Sequence, residues 1–172
     1  MILVPGPGGH GSTAEGRTVI DKDDLFPVGS VCVAVARVFF SFRGEVDRSR
    51  GTVEFCWQRG GATTVDTRSD WTLVGGSTRW EDPYRDVEEA ERAAIHQEYG
   101  IFVLEEARPP DPLSSVVGGR LLGVRREFDE YDYWMDVDLL FDRGLVRLES
   151  WEGEVRIRVS DVAPGLVEDG AA

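Results

Sequence analysis

The chain has 172 residues and carries 32 acidic side chains against 19 basic ones, a net charge of -13 at pH 7. Contacts to a phosphate backbone draw on Lys and Arg, so this balance argues against a nucleic-acid partner and in favour of a basic protein one. With 41% hydrophobic and 30% charged residues the composition is that of a globular domain with one core, and no apolar run reaches the roughly 18 to 20 residues of a membrane span, so no membrane association and a cytoplasmic location are expected. Lys22 is the only lysine, and so heavy a use of Arg is typical of high-GC bacterial genomes.

Residues 1–16 are rich in Gly and Pro and read as a flexible arm. The opening Met1-Ile2-Leu3-Val4 is too short for a signal-peptide apolar region, and Gly8-Gly9-His10-Gly11-Ser12 lacks the Gly-Lys-Ser/Thr ending of a phosphate loop.

Val31 to Phe42 is β-branched and aromatic and predicts a strand, with Thr52 to Arg59 as its partner across the polar stretch GEVDRSRG. A symmetric loop would set Phe42 against Val53, Phe40 against Phe55 and Val38 against Trp57, one wholly apolar face, with Ser41/Glu54 and Arg37/Gln58 on the other. In that register Cys56 lies near Phe39 and Cys32 far up the strand, so both cysteines are expected as small buried apolar groups without a bridge. Arg59-Gly60-Gly61 marks a turn, and strands through Thr63 to Thr67 and Trp71 to Val74 follow.

Between residues 83 and 99 the pattern predicts the main helix, with Asp82 as N-cap, Pro83 at the first position and Gly100 as the stop. Arg85/Glu89 and Glu88/Arg92 are spaced i, i+4, and the thin stripe Tyr84, Val87, Ala94, Ile95 suits a helix on a sheet surface. Ile101 to Leu104 reads as a short strand, and Arg108-Pro109-Pro110-Asp111-Pro112 as a stiff connector.

Leu121 to Phe128 and Met135 to Phe141 repeat the first pattern, and Val137, Leu139 and Phe141 match Val53, Phe55 and Trp57. Turns at Arg143-Gly144 and Glu152-Gly153 would set Leu139 and Phe141 against Leu148 and Val146, and those against Ile157 and Val159, with Glu149 across from Arg156. The expected fold is therefore α+β and mainly antiparallel β: two related β-meander units, about 28–75 and 117–160, suggesting a tandem duplication. They would form packed sheets or one curved sheet within a single compact domain of 17–162, joined by the helix and the Pro-rich connector, with 163–172 as a flexible tail.

The segment most suggestive of function is EFDEYDYWMDVD, which interleaves Glu127, Asp129, Glu130, Asp132, Asp136 and Asp138 with Phe128, Tyr131, Tyr133 and Trp134. Exposed Tyr and Trp beside carboxylates anchor protein interfaces, and the charge would steer in a basic partner. The offsets of an EF-hand calcium loop are absent. Candidate carboxylate pairs such as Glu81/Asp82 or Asp136/Asp138 are read more simply as a helix cap and an outward strand face, and neither His10 nor His96 is placed to activate Cys56. No catalytic residue, cofactor or metal ligand is expected. The function expected is that of a small acidic non-enzymatic protein-binding domain, for instance an immunity-type protein neutralising a basic toxin. A self-assembling structural protein is the alternative, and a carboxylate-dependent hydrolase the third reading.

Overall fold

A computed structural model describes residues 25–48 and 51–161, so the expected arm and tail lie outside the described residues. Five of the ten strands belong to the first half: β1 (Cys32–Phe42), β2 (Glu45–Val46), β3 (Thr52–Trp57), β4 (Ala62–Thr67) and β5 (Leu73–Gly76). Helix α1 (Glu89–Glu98) leads into β6 (Ile101–Glu106), and a 3-10 turn at Pro112–Val116 precedes the second half. There β7 (Leu121–Phe128), β8 (Trp134–Phe141), β9 (Gly144–Trp151) and β10 (Glu154–Ser160) form a meander. Every ladder is antiparallel, and the sheet curls into a half-barrel because the two meanders join at both ends, through a Val31↔Arg120 bridge and a Leu73↔Trp134 pair.

Alternation decides what faces inward. Val53, Phe55 and Trp57 of β3 meet Val137, Leu139 and Phe141 of β8 and Val146 and Leu148 of β9 in one core, as the sequence pattern requires. Phe55, Trp57 and Phe141 stack on one another with ring centroids 6.0 to 6.4 Å apart. Leu113 and Val116 close one side of this core, both fully buried.

The register of the first hairpin differs from the expected one. Arg43 and Gly44 both take positive φ, 52° and 83°, and form a tight two-residue turn that pairs Phe42 with Glu45 in β2. The chain then leaves the ladder and returns at Thr52, so that Phe55 faces Val35, Val53 faces Arg37 and Trp57 faces Cys32. Relative to the symmetric loop this is an odd slip, and an odd slip turns β1 over: Phe40 and Phe42 point outward, 44% and 37% exposed, while Val35 goes in. Cys32 thereby comes beside Cys56 rather than far from it, and both remain free, buried thiols. In the second half the β9–β10 pairing is the expected one, with Ile157↔Leu148, Val159↔Val146 and Arg156↔Glu149. Between β8 and β9 the observed pairs are Leu139↔Val146 and Val137↔Leu148, two residues from expectation, because Gly144 is the first strand residue rather than part of the turn. An even slip leaves the inward face unchanged.

The helix is shorter than expected. Residues 83–87 form turns in which Asp82 Oδ1 accepts from the Tyr84 amide at 2.8 Å, so Asp82 caps a turn and Glu88 occupies the N-cap without a side-chain cap bond. Arg92 pairs with Asp82 at 3.0 Å, tying the helix to that turn. α1 buries none of its residues and lies on the outside of the sheet, as its thin stripe implies. The structure does not confirm a tandem duplication, since β2 and β6 flank β1 and have no counterpart beside β7 among the described residues. No helix of the described residues is long and apolar enough to cross a membrane.

Candidate functional site

The acidic-aromatic segment is the β7–β8 hairpin, and its residues divide into three groups. At the tip, Asp129 Oδ1 accepts from the amides of Tyr131 (2.8 Å) and Tyr133 (2.9 Å), so this carboxylate folds the turn rather than facing solvent unoccupied. Asp132 sits at φ 62° and donates its amide to the Asp129 carbonyl. Glu130, Tyr131 and Asp132 project outward, Tyr131 being 70% exposed, and Tyr133 is 41% exposed.

Trp134 turns inward. Its ring lies 6.4 Å from Phe26 and 4.5 Å from the buried Arg126 guanidinium, and it packs so closely on Gly75 that a side chain there would overlap it. Glu127, Asp136 and Asp138 form the third group, on the outer face of the β7–β8–β9 sheet among arginines. Arg147 Nη2 lies 2.5 Å from Asp136 and its Nε 3.0 Å from Glu149; Arg125 reaches Asp138 at 2.5 Å and Glu127 at 3.8 Å. Burial pushes the Asp136 carboxyl up, Arg147 pulls it back, and Glu127 adds to the rise. These three carboxylates are thus paired with Arg125 and Arg147, whereas Glu130 and Asp132 are left to face solvent.

Two further aromatics join the tip. Trp71, 61% exposed, sits at φ 68° in the turn between β4 and β5, where Asp70 Oδ1 accepts from the Thr72 hydroxyl (2.7 Å) and amide (3.2 Å). Trp151, 56% exposed, opens the tight β9–β10 turn through Glu152 and Gly153, both at positive φ. The three turns adjoin. Thr67 Oγ1 donates to the Gly153 carbonyl at 2.6 Å, Ser150 Oγ donates to the Trp71 carbonyl, and the Trp71 indole passes close over Gly153. Arg68 lies 4.9 Å over the Tyr133 ring and Arg156 lies 5.2 Å over that of Trp151, cations that hold these rings in place. One end of the half-barrel therefore carries Trp71, Tyr131, Tyr133 and Trp151 among Asp70, Glu130, Asp132 and Glu152. Between two of the turns opens a cleft of about 370 Å³ lined by Arg68, Leu73, Tyr133 and Trp134.

The sequence held a signal for Trp151, because counting outward from the inward-facing Leu148 places it on the solvent side. Trp71 follows Ser69-Asp70, a turn composition, and reading it as the first strand residue hid its exposure.

Elsewhere, Cys56 receives Arg79 Nη2 at 3.2 Å and donates to Glu54 Oε1 at 3.4 Å. Burial and then Glu54 raise its pKa, and His96 is bonded to Ser41 Oγ at 2.9 Å instead. This is the environment of an inert thiol. No protein-family model matches the chain, and no curated protein or solved structure matches it either.

Proposed function

We propose that the chain is a protein-binding module that docks through its three-turn end onto a partner with a basic surface. The observation that carries this is the cluster of four exposed aromatic rings, Trp71, Tyr131, Tyr133 and Trp151, on three adjoining turns, two joined by hydrogen bonds and the third by Arg68 over Tyr133. Exposing rings of this size costs favourable burial, and large amphipathic rings, two of them here lying under an arginine, are what interface centres are made of. The surrounding carboxylates, in a chain of net charge -13, favour a cationic partner and a salt-sensitive on-rate. An immunity-type protein neutralising a basic toxin is the concrete form of this reading.

The test uses two baits in parallel, the native chain and a Trp71→Ser/Tyr131→Ser/Trp151→Ser variant, against extract of the source cells. The expected result is a basic protein retained by the native chain, released by raising salt, and lost from the variant. Equal retention by both baits would place binding elsewhere and overturn the proposal. Self-association is the second reading, and it draws on a different observation: Phe40, Phe102 and Leu104 are each 44% to 46% exposed beside β6, whose described pairing is to β1 alone. Light scattering after size-exclusion distinguishes it, since a stable homo-oligomer that Phe102→Ser/Leu104→Ser dissolves would support assembly.

A further inference from the structure

The cleft between the β4–β5 turn and the β7–β8 tip, about 370 Å³, has a size suited to a small molecule. Leu25, Leu73 and the half-buried Trp134 give it apolar walls, and Arg68 and Asp132 border it with charges of opposite sign.

Both charges are open. Arg68 is exposed, and its guanidinium rests on the Tyr133 ring, 4.9 Å from the ring centre, without an ion pair among the described residues. Asp70 lies close by, but its Oδ1 already accepts from the Thr72 hydroxyl (2.7 Å) and amide (3.2 Å). That hydroxyl is the main cause of its lowered pKa, to which the Arg68 charge only adds. Asp132 is exposed as well, and its carboxylate has neither a hydrogen bond nor an ion pair among the described residues. Its backbone is set by the turn, at φ 62° with the amide donated to the Asp129 carbonyl. Arg68 and Asp132 thus line one cleft and do not pair with each other.

A ligand carrying both charges satisfies the two residues at once, whereas an ion of one sign answers one and is repelled by the other. The apolar walls add the requirement of a hydrophobic body. We infer that the cleft binds a free α-amino acid with an apolar side chain, its carboxylate on Arg68, its ammonium on Asp132 and its side chain against Trp134 and Leu25. The planar carboxylate matches the guanidinium fork, and the ammonium brings donors to a carboxylate that lacks them.

Amide NMR titration of the native chain with L-phenylalanine and L-leucine tests this, beside two compounds that keep the body of phenylalanine and drop one charge, phenethylamine and hydrocinnamate. Saturable shifts centred on Arg68, Asp132 and Tyr133 are expected with the amino acids, and binding about tenfold weaker or less with either single-charge compound. Asp132→Asn should weaken phenylalanine binding about tenfold and leave hydrocinnamate unaffected, and Arg68→Gln should weaken it equally and leave phenethylamine unaffected. Both side chains are exposed, so both variants should fold. Absence of saturation with both amino acids, or phenethylamine or hydrocinnamate binding as tightly as phenylalanine, would overturn the assignment. The titration involves no protein partner, so its outcome is independent of the bait experiment.

Discussion

Asp70 and Asp129 do the same work in two of the turns at the three-turn end: a carboxylate accepts two donors of its own turn and fixes the neighbouring aromatic. For Asp70 the Thr72 hydroxyl, opposed by slight desolvation and helped by the Thr72 amide, holds the pKa below its ordinary 3.8. A carboxyl lowered on folding contributes stability that is present above the ordinary pKa and lost as pH falls through the lowered one. Asp70→Asn keeps the acceptor oxygen and removes the charge. The melting temperature of the native chain should therefore exceed that of Asp70→Asn near neutrality, and the gap should close below pH 3.8. Gly51 is a second residue whose identity is dictated. It sits at φ 129° where β3 rejoins the ladder, and a Cβ there would overlap the Val38 carbonyl oxygen. Gly51→Ala should cost about 2 kcal/mol or more in urea denaturation, from backbone strain and displacement of β1.

At the scale of elements, strand faces were readable and strand registers only in part. Period-2 alternation marks Val53/Phe55/Trp57, Val137/Leu139/Phe141 and Val146/Leu148 as inward, and the core uses those residues. Register depends on where a turn begins. In β9–β10 the Glu152-Gly153 turn places every pair as alternation suggests, whereas Arg43-Gly44 folds the first hairpin early and turns Phe40 and Phe42 outward. The contrast between the core stack and the surface rings is measurable. Phe141, 1% exposed between Phe55 and Trp57, should cost about 3 to 5 kcal/mol when replaced by Ala. The Trp71→Ser/Tyr131→Ser/Trp151→Ser variant should lose about 1 kcal/mol at most in the same denaturation, since these rings are 56% to 70% exposed. A comparable loss in both variants would mean that the rings hold the turns together and are not primarily a surface for a partner.

For the whole molecule, acidity is unevenly spent. Carboxylates along the outer face of β7–β9 are matched with Arg125, Arg147 and Arg158, and Glu105 and Glu106 of β6 with Arg48 and Arg108. Glu130, Asp132 and Glu152 at the three-turn end stand exposed beside the aromatic rings. Under the proposed function these exposed carboxylates would steer a basic partner toward the rings that anchor it. Raising ionic strength should slow association through this end and leave the dissociation rate of a formed complex nearly unchanged, as read by surface-immobilised kinetics with the captured partner.

Local chemistry wrote the antiparallel class, the inward faces, the superficial helix and the Asp129-centred tip into the sequence, because alternation, turn residues and capping act over a few positions. The curl of the sheet decided the rest. It brought Trp71, the 129–133 tip and Trp151 to one end although they are far apart along the chain. It also laid Arg147 against Asp136 and Asp138, taking them out of the exposed acidic cluster, and brought Asp111 to 3.7 Å from the buried Arg37. Such meetings depend on strand twist and on which ladders close upon one another, quantities that belong to the folded sheet as a whole rather than to any segment of it.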